Sequence, residues 1–400
     1  GISKKIMKEI VSEISIVGGG LTGLLTAFAL SKESIPTTII DKNKFINEKS
    51  GNVDFRTTAI SEGSKEFFES IGLWKKIAHH AEPIYKIIVY DRNVSSNINF
   101  QNSKKNNFLG YVIKNSILKK YLINFLKTKK DINLIEGELV EDLVNTNDNI
   151  IIKLKNHKIL SKLLVAADGK NSFVRSFYKT NFFMKSYNHA ALVVNFNHTK
   201  NHKNIAYEIF KKTGPLAILP MKSSSKKHFS SSLIWSHKKD FAESMSKINN
   251  DLLKEILEEN ISYYVGQIVN IFDAKSFKLS AHINTKFYDN RIVYLGDSAH
   301  SLHPIAGQGW NLGIRDIKRF LDITKNTKNL GLEVGEGLMC KKYHDSTFYD
   351  SYLLYQITDK LNSIFLDEKR TAKLIRSTGF NLIDKNLKIK KFITNYAMGF

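Results

Sequence analysis

A chain of 400 residues that is 42% apolar allows two or three domains with sizeable cores. With no bilayer-length apolar run and no signal peptide, it is not read as membrane-spanning or secreted. Its formal charge of +22 invites a nucleic-acid reading, but Arg supplies only 8 of the 60 basic residues and the lysines are scattered with no aromatic platform among them. The expectation is a solvated basic surface with no nucleic acid as partner, anionic lipid head groups being the other reading, and the single cysteine, Cys340, excludes internal disulfides and suits a reducing compartment.

In chain order, Ile14-Ser15-Ile16-Val17 is a short apolar strand, followed by Gly18-Gly19-Gly20-Leu21-Thr22-Gly23 and an apolar helix over 24–30. The Gly18-x-Gly20-x-x-Gly23 pattern suits a dinucleotide. The first glycine makes the tight turn, the second admits the pyrophosphate, and the third lets helix and strand pack, with Leu21 and Thr22 at the helix start. A second strand over 37–40 ends in Asp41, 18 residues after Gly23, where a carboxylate would hold ribose hydroxyls. Arg56 either reaches the cofactor phosphates or ring edge, or pairs on the surface with Asp54 or Glu62.

The alternation of Ile87, Val89 and Tyr90 between 83 and 100 reads as antiparallel strands. A helix over 118–126 and strands over 132–135 and 150–154 follow. Leu163 to Ala167 is a buried strand ending in Asp168-Gly169, with Ser172 and Arg175 beyond it. That is either a ligand-binding strand end or a β-turn with a helix cap. Strands over 190–197, 205–210 and 231–235 belong to a second sheet, joined by the proline-fenced segment 214–220. Their Tyr207, Phe210, Leu219, Pro220 and Trp235 either wall a substrate pocket or pack a core. A helix spans 251–259, and this middle region has no metal-ligand or nucleophile-elbow pattern.

Arg291 to Leu295 is β-rich and leads into Gly296-Asp297 and a glycine-rich loop, then a helix from Asn311 to Thr324. Asp297 at the strand end can accept from sugar-like hydroxyls. Gly307 and Gly309 let the main chain approach a flat ligand, and Asn311 can cap the helix. The helix start offers free N–H groups to a developing anion. The 326–337 stretch is loop-like, two helical runs cover 338–365 and 368–380, and the basic, apolar tail over 387–400 is expected to dock on the body.

Gly18-x-Gly20-x-x-Gly23, Asp168-Gly169-x-x-Ser172-x-x-Arg175 and Gly296-Asp297 together resemble the group A flavoprotein monooxygenases. The run from Ser298-Ala299-His300 through His303-Pro304-x-Ala306-Gly307-Gln308-Gly309-x-Asn311-x-Gly313 to Asp316 is similar to the signature of the ubiquinone-biosynthesis hydroxylases. So are Ala206-Tyr207-Glu208-x-Phe210, Gly214-Pro215-Leu216-Ala217-x-Leu219-Pro220, Thr358-Asp359-x-Leu361-Asn362 and Ala397-Met398-Gly399. The chain departs from the wider group at Asp41, where Glu is commoner, and at Asn115-Ser116, where an Arg often stands near the flavin.

The resemblance implies an α/β fold: a Rossmann-like FAD-binding domain (10–80, 110–182 and 275–330), an inserted mixed or antiparallel β-sheet substrate domain (81–109 and 183–274) and a helical C-terminal region (331–400). It implies FAD, with NAD(P)H or another reductant as electron donor. The activity it implies is hydroxylation of a polyprenylated phenol or benzoquinol intermediate of ubiquinone biosynthesis by O2 through a flavin C4a-hydroperoxide. Gly18, Gly20 and Gly23 would then take the pyrophosphate and Asp41 the adenosine ribose. Gly296 and Asp297 would serve the ribityl and pyrophosphate region, and the start of the helix, Gly309 to Leu312, the pyrimidine edge. Pro304 would pack near the ring face where oxygen reacts. His303, like His300, is either a proton donor or a structural bond holding the loop. The expected location is the cytoplasm, peripheral on the inner membrane, with membership of a ubiquinone-biosynthesis complex. Alternatives are a hydroxylase of a soluble aromatic acid, a flavin-dependent isoprenoid reductase, and a non-catalytic flavoprotein scaffold.

Overall fold

The computed structural model of the chain describes residues 6–46, 55–90, 97–101, 107–223, 225–302 and 310–366. Its first sheet sets five parallel strands in the order Ile292–Tyr294, His157–Ala166, Lys8–Val17, Thr37–Asp41 and Ile132–Glu136. The inner strands are buried on both faces near their carboxyl ends, as Leu163 to Ala166 show. Helix Leu21–Lys32 packs on one side against helices Asn115–Leu126 and Trp310–Asn329. The registers Val17↔Ala166 and Val17↔Ile40 bring the turns at Gly18, Asp41 and Asp168 to one edge of the sheet. That edge is where parallel α/β sheets bind ligands.

The second sheet has eight strands. Phe182–His198 pairs antiparallel with both Ile268–Asn284 and Phe229–Lys238. Gly214–Met221 and Ile205–Lys211 continue it. Lys86–Tyr90 then pairs antiparallel with Asn97–Gln101, as its alternation predicts, but parallel with Ile205–Lys211, so the sheet is mixed. One face is covered by helix Asn250–Val265, which buries Leu253, Leu257 and Ile261 at helical spacing. Asn249 caps that helix by accepting from the amides of Asp251 and Leu252. The opposite, inner face meets a small antiparallel sheet of Thr57–Ser61, Gly110–Lys114 and Glu82–Ile84.

One boundary differs from the sequence reading. The helix expected to end at Thr324 runs to Asn329, because Thr324 and Thr327 satisfy their hydroxyls on the carbonyls of Phe320 and Ile323 within the helix. Among the described residues the C-terminal region holds the helix Gly337–Leu366, where a run over 338–365 was expected, packed on Trp310–Asn329. The expected run over 368–380 and the tail lie outside the described residues.

Candidate active site

A cavity of about 660 Å3 opens at the carboxyl edge of the parallel sheet. Eight of the sequence candidates line it: Gly18, Gly20, Leu21, Thr22, Asp41, Arg56, Asp168 and Asp297.

The three glycines of the first turn have three separate reasons. Gly18 has φ +119°, and a Cβ there would stand 2.0 Å from the carbonyl oxygen of Ala167. A Cβ on Gly23 would stand 1.8 Å from the carbonyl oxygen of Gly18, so this residue lets the helix approach its own turn. Gly20 has nothing within 4 Å of such a Cβ. The open space is on the cavity side, at the N-cap of the helix. No side chain caps that helix and no acidic residue stands in its first turn, so its leading amides are available to an anion.

Asp41 shapes the same turn. Its Oδ2 accepts the amide of Gly19 at 2.6 Å and its Oδ1 that of Asn43 at 2.7 Å, which aims the carboxylate along the cavity rim. Asp168 is divided between cavity and scaffold. Burial pushes its carboxyl up, against the hydroxyl of Ser172 at 2.5 Å and the amide of Val174 at 3.2 Å. Ser172 in turn caps helix Phe173–Phe177 through the amide of Arg175. The cap reading of this motif therefore holds locally, while Asp168 also borders the cavity.

The turn at Gly296-Asp297 is held from behind. Ser298 donates to the carbonyl of Ala166 at 2.6 Å, and Asn284 donates to the carbonyl of Ser298 at 2.9 Å. Asp316 accepts the amide of Gly296. This leaves Asp297 exposed, with its carboxylate at the cavity. His300 is buried against Asp316, 2.5 Å away, so it serves the loop and does not point to the cleft.

Several candidates stand elsewhere. Asn311 does not cap its helix, which begins at Trp310. Its Oδ1 accepts from the Ser64 hydroxyl at 2.7 Å and the Ser61 amide at 3.2 Å, and its Nδ2 donates to the carbonyl of Ala59. It is a strut between that helix and the small sheet. The side chain of Leu312 is buried, while the expectation for this helix start concerns its amides. Tyr207 and Trp235 pack under helix Asn250–Val265, on the face turned away from the flavin-side sheet, and Pro220 has the same strand parity. Phe210 and Leu219 lie on the inner face. His303, Pro304, Gly307 and Gly309 lie outside the described residues.

The sequence reading missed Asn115, Lys119, Glu138 and Trp310, which also line the cavity. Asn115 accepts from the hydroxyl of Thr58. It stands where the group often carries Arg, so position in the pattern was a usable signal there. For Glu138 there was none.

An uncapped helix start, free space over Gly20 and carboxylates at Asp41 and Asp297 fit a dinucleotide with two ribose-like ends. The fold and this cleft define a dinucleotide-binding protein. Residues 11–321 match the family described as FAD binding domain, and the chain belongs to that family, whose cofactor is FAD. It is 26% identical to ubiquinone hydroxylase UbiL of Rhodospirillum rubrum over 97% of this chain and 90% of that protein. It is 23% identical to the 3-demethoxyubiquinol 3-hydroxylase of Escherichia coli, over 97% of this chain and 98% of that one. Among solved structures, p-nitrophenol 4-monooxygenase PnpA of Pseudomonas putida shares the fold with a TM-score of 0.78 at 14% identity, over 98% of both chains.

Proposed function

We propose that this chain is an FAD-dependent monooxygenase that hydroxylates the aromatic ring of a prenylated phenol or benzoquinol intermediate in ubiquinone biosynthesis. The observation that carries the reading is likeness over nearly the full length to ubiquinone hydroxylases, joined to a dinucleotide cleft whose Arg56 lies over Phe277 of a largely apolar sheet face. FAD, held by the Gly18–Gly23 turn, Asp41 and Asp297, would supply the redox chemistry, in which a reductant provides two electrons, one oxygen atom of O2 enters the ring and the other leaves as water.

The chain's own residues bind, orient and exclude water. The leading amides of helix Leu21–Lys32 take the pyrophosphate, and Asp41 and Asp297 accept hydroxyls at the two ends. Arg56, whose guanidinium lies 5.2 Å from the Phe277 ring centre, joins the cleft to the inner face of the second sheet. That face, with Phe210, Leu219 and Phe277, keeps the reacting ring dry. Pro304 and His303 remain part of the reading as neighbours of the reacting ring. NAD(P)H is the reductant it includes. No helix among the described residues is long and apolar enough to cross a membrane. Peripheral contact with anionic lipid, supported by the charge of +22, gives access to a lipid-soluble substrate.

The test is mass spectrometry of quinone intermediates in cells lacking the gene, with and without its restoration. A prenylated intermediate short of one ring hydroxyl is expected to accumulate and to vanish on restoration. An unchanged quinone pool would overturn the reading.

A further inference from the structure

Glu208 sits in the strand Ile205–Lys211 and is 2% exposed. Its Oε1 is buried and has no hydrogen-bond partner. Strand parity fixes the side it occupies. Ala206 and Phe210 belong to the inner-face cluster, together with Ala59 and Val112 of the small sheet, and Tyr207 and Ile209 to the outer one. Glu208 therefore shares the inner face, in register with Val89 on one side and Ala217 on the other.

That face borders the cleft. Phe277, under the cavity-lining Arg56, belongs to it. So does Asn195, whose Nδ2 donates to the carbonyl of Phe55 at 2.7 Å. The face carries two further buried polar atoms without a partner, Oδ1 of Asn195 and Oγ of Ser232, and these two residues are cross-strand neighbours. Among the described residues, three buried polar atoms without a partner thus lie on one largely apolar face, and Glu208 has small neighbours at Ala206 and Ala217 beside the larger Val89 and Phe210. A few polar atoms on an apolar wall suit an apolar ring with a few polar substituents.

A scaffold role for Glu208 does not account for this arrangement. Leaving a buried polar group unpaired is unfavourable, and an aliphatic side chain would fill the position without that penalty. Burial alone pushes the carboxyl well above the usual carboxylate range, with no cation or donor opposing it. Burial thus favours the protonated carboxyl, which both donates through its O–H and accepts through its carbonyl oxygen.

We propose that Glu208 is the residue that recognises a ring hydroxyl of the aromatic substrate. Its carboxyl hydrogen-bonds that hydroxyl and fixes the ring against the inner face of the second sheet. The proposal deepens the ring-hydroxylase reading and rests on it.

The test uses the FAD-loaded enzyme with two probes, ortho-prenylphenol and its methyl ether, followed through the change each causes in the flavin absorbance. The wild type is expected to bind the phenol about tenfold or more tightly than the ether, since an ether cannot return the hydroxyl's donor. Glu208→Leu should bring the two affinities within about twofold of each other by weakening the phenol alone. It should keep its FAD and melt no lower than the wild type, because an apolar side chain replaces an unpaired polar one. Glu208→Gln, which keeps a donor and an acceptor, should preserve most of the preference. A Glu208→Leu enzyme that still separates the probes as the wild type does would overturn the assignment, as would a collapse of its melting temperature, which marks a structural role. Wild-type turnover of the phenol with no preference over the ether would also overturn it while leaving ring hydroxylation standing. A wild type that neither binds nor hydroxylates the phenol, beside an unchanged quinone pool in the deletion strain, would overturn both.

Discussion

Nε2 of His300 donates to Oδ2 of Asp316 at 2.5 Å, and the same carboxylate oxygen accepts the amide of Gly296 at 3.1 Å. Both side chains are fully buried. Burial alone would lower the imidazole's pKa, but the charge and hydrogen bond of Asp316, with Asp297 beyond, outweigh it and raise it. Such a raised pKa gives stability that is complete below the unfolded value of about 6.5 and is lost as pH rises through the folded value. Asp316→Asn should therefore lower the melting temperature, by about 3–5 kcal/mol of stability, since it breaks a buried pair. It should also remove the alkaline-side decline. Melting curves of both proteins between pH 6 and 9 check this, and an Asn variant that melts with the wild type would refute it.

The first-turn glycines should separate folding from cofactor binding. Gly23→Ala and Gly18→Ala put a Cβ within 2.0 Å of a backbone carbonyl, and neither backbone atom can yield cheaply. Each should cost about 3 kcal/mol or more and yield little folded protein. Gly20→Ala meets nothing, so it should melt near the wild type yet bind FAD at least about tenfold more weakly. Thermal melts and flavin content distinguish the three; a fully flavin-loaded Gly20→Ala protein would sink this account of Gly20.

Asp297 is exposed at the cavity and holds no scaffold bond in the described residues. Asp297→Ala should leave the circular dichroism spectrum and melting temperature of the cofactor-free protein unchanged. It should purify with little or no bound flavin. A protein that comes off the column fully yellow would show that the carboxylate is not a cofactor contact.

Acid should destabilise the fold through two buried neutral histidines. Burial, then Arg175, His300 and Lys170, pushes His282 down to about 3, and burial with His202 pushes His198 down to about 4. A histidine whose folded pKa is depressed gives stability that is present above the unfolded value of about 6.5 and is lost as pH falls from there toward the folded value. Neutral His282 accepts from the Arg175 guanidinium at Nε2 and donates from Nδ1 to Ser301. The melting temperature should fall steadily from pH 6.5 to 4, and His282→Gln should flatten that slope. A wild-type melting temperature that is constant over this range would contradict the assignment.

The cofactor half of the site was legible because its signals are local. Gly18, Gly20, Gly23 and Asp41 lie within 24 residues, and each role follows from a turn, a helix start or a strand end. The role of Asn311 was hidden because its partners, Ala59, Ser61 and Ser64, are about 250 positions away along the chain. The choice between pocket and core on the substrate side could have been narrowed. Tyr207 and Phe210 differ by an odd number of positions in one strand, so they cannot share a face, and Glu208 shares parity with Phe210. Which face looks toward the cleft depends on pairings with residues 55–60 and 109–113, which no local pattern specifies.

The two 17-residue strands Phe182–His198 and Ile268–Asn284 pair from Phe182↔Asn284 beside the flavin-side turn to His198↔Ile268 at the far end of the second sheet. One continuous ribbon thus splices the two halves of the molecule. A clamshell opening would have to tear this ladder, whose register is interrupted between Ser186 and Ala190, Asn195 and Phe196, and Asn197 and His198. A ligand therefore has to reach the inner face through the cleft, and not by the two halves parting along this seam.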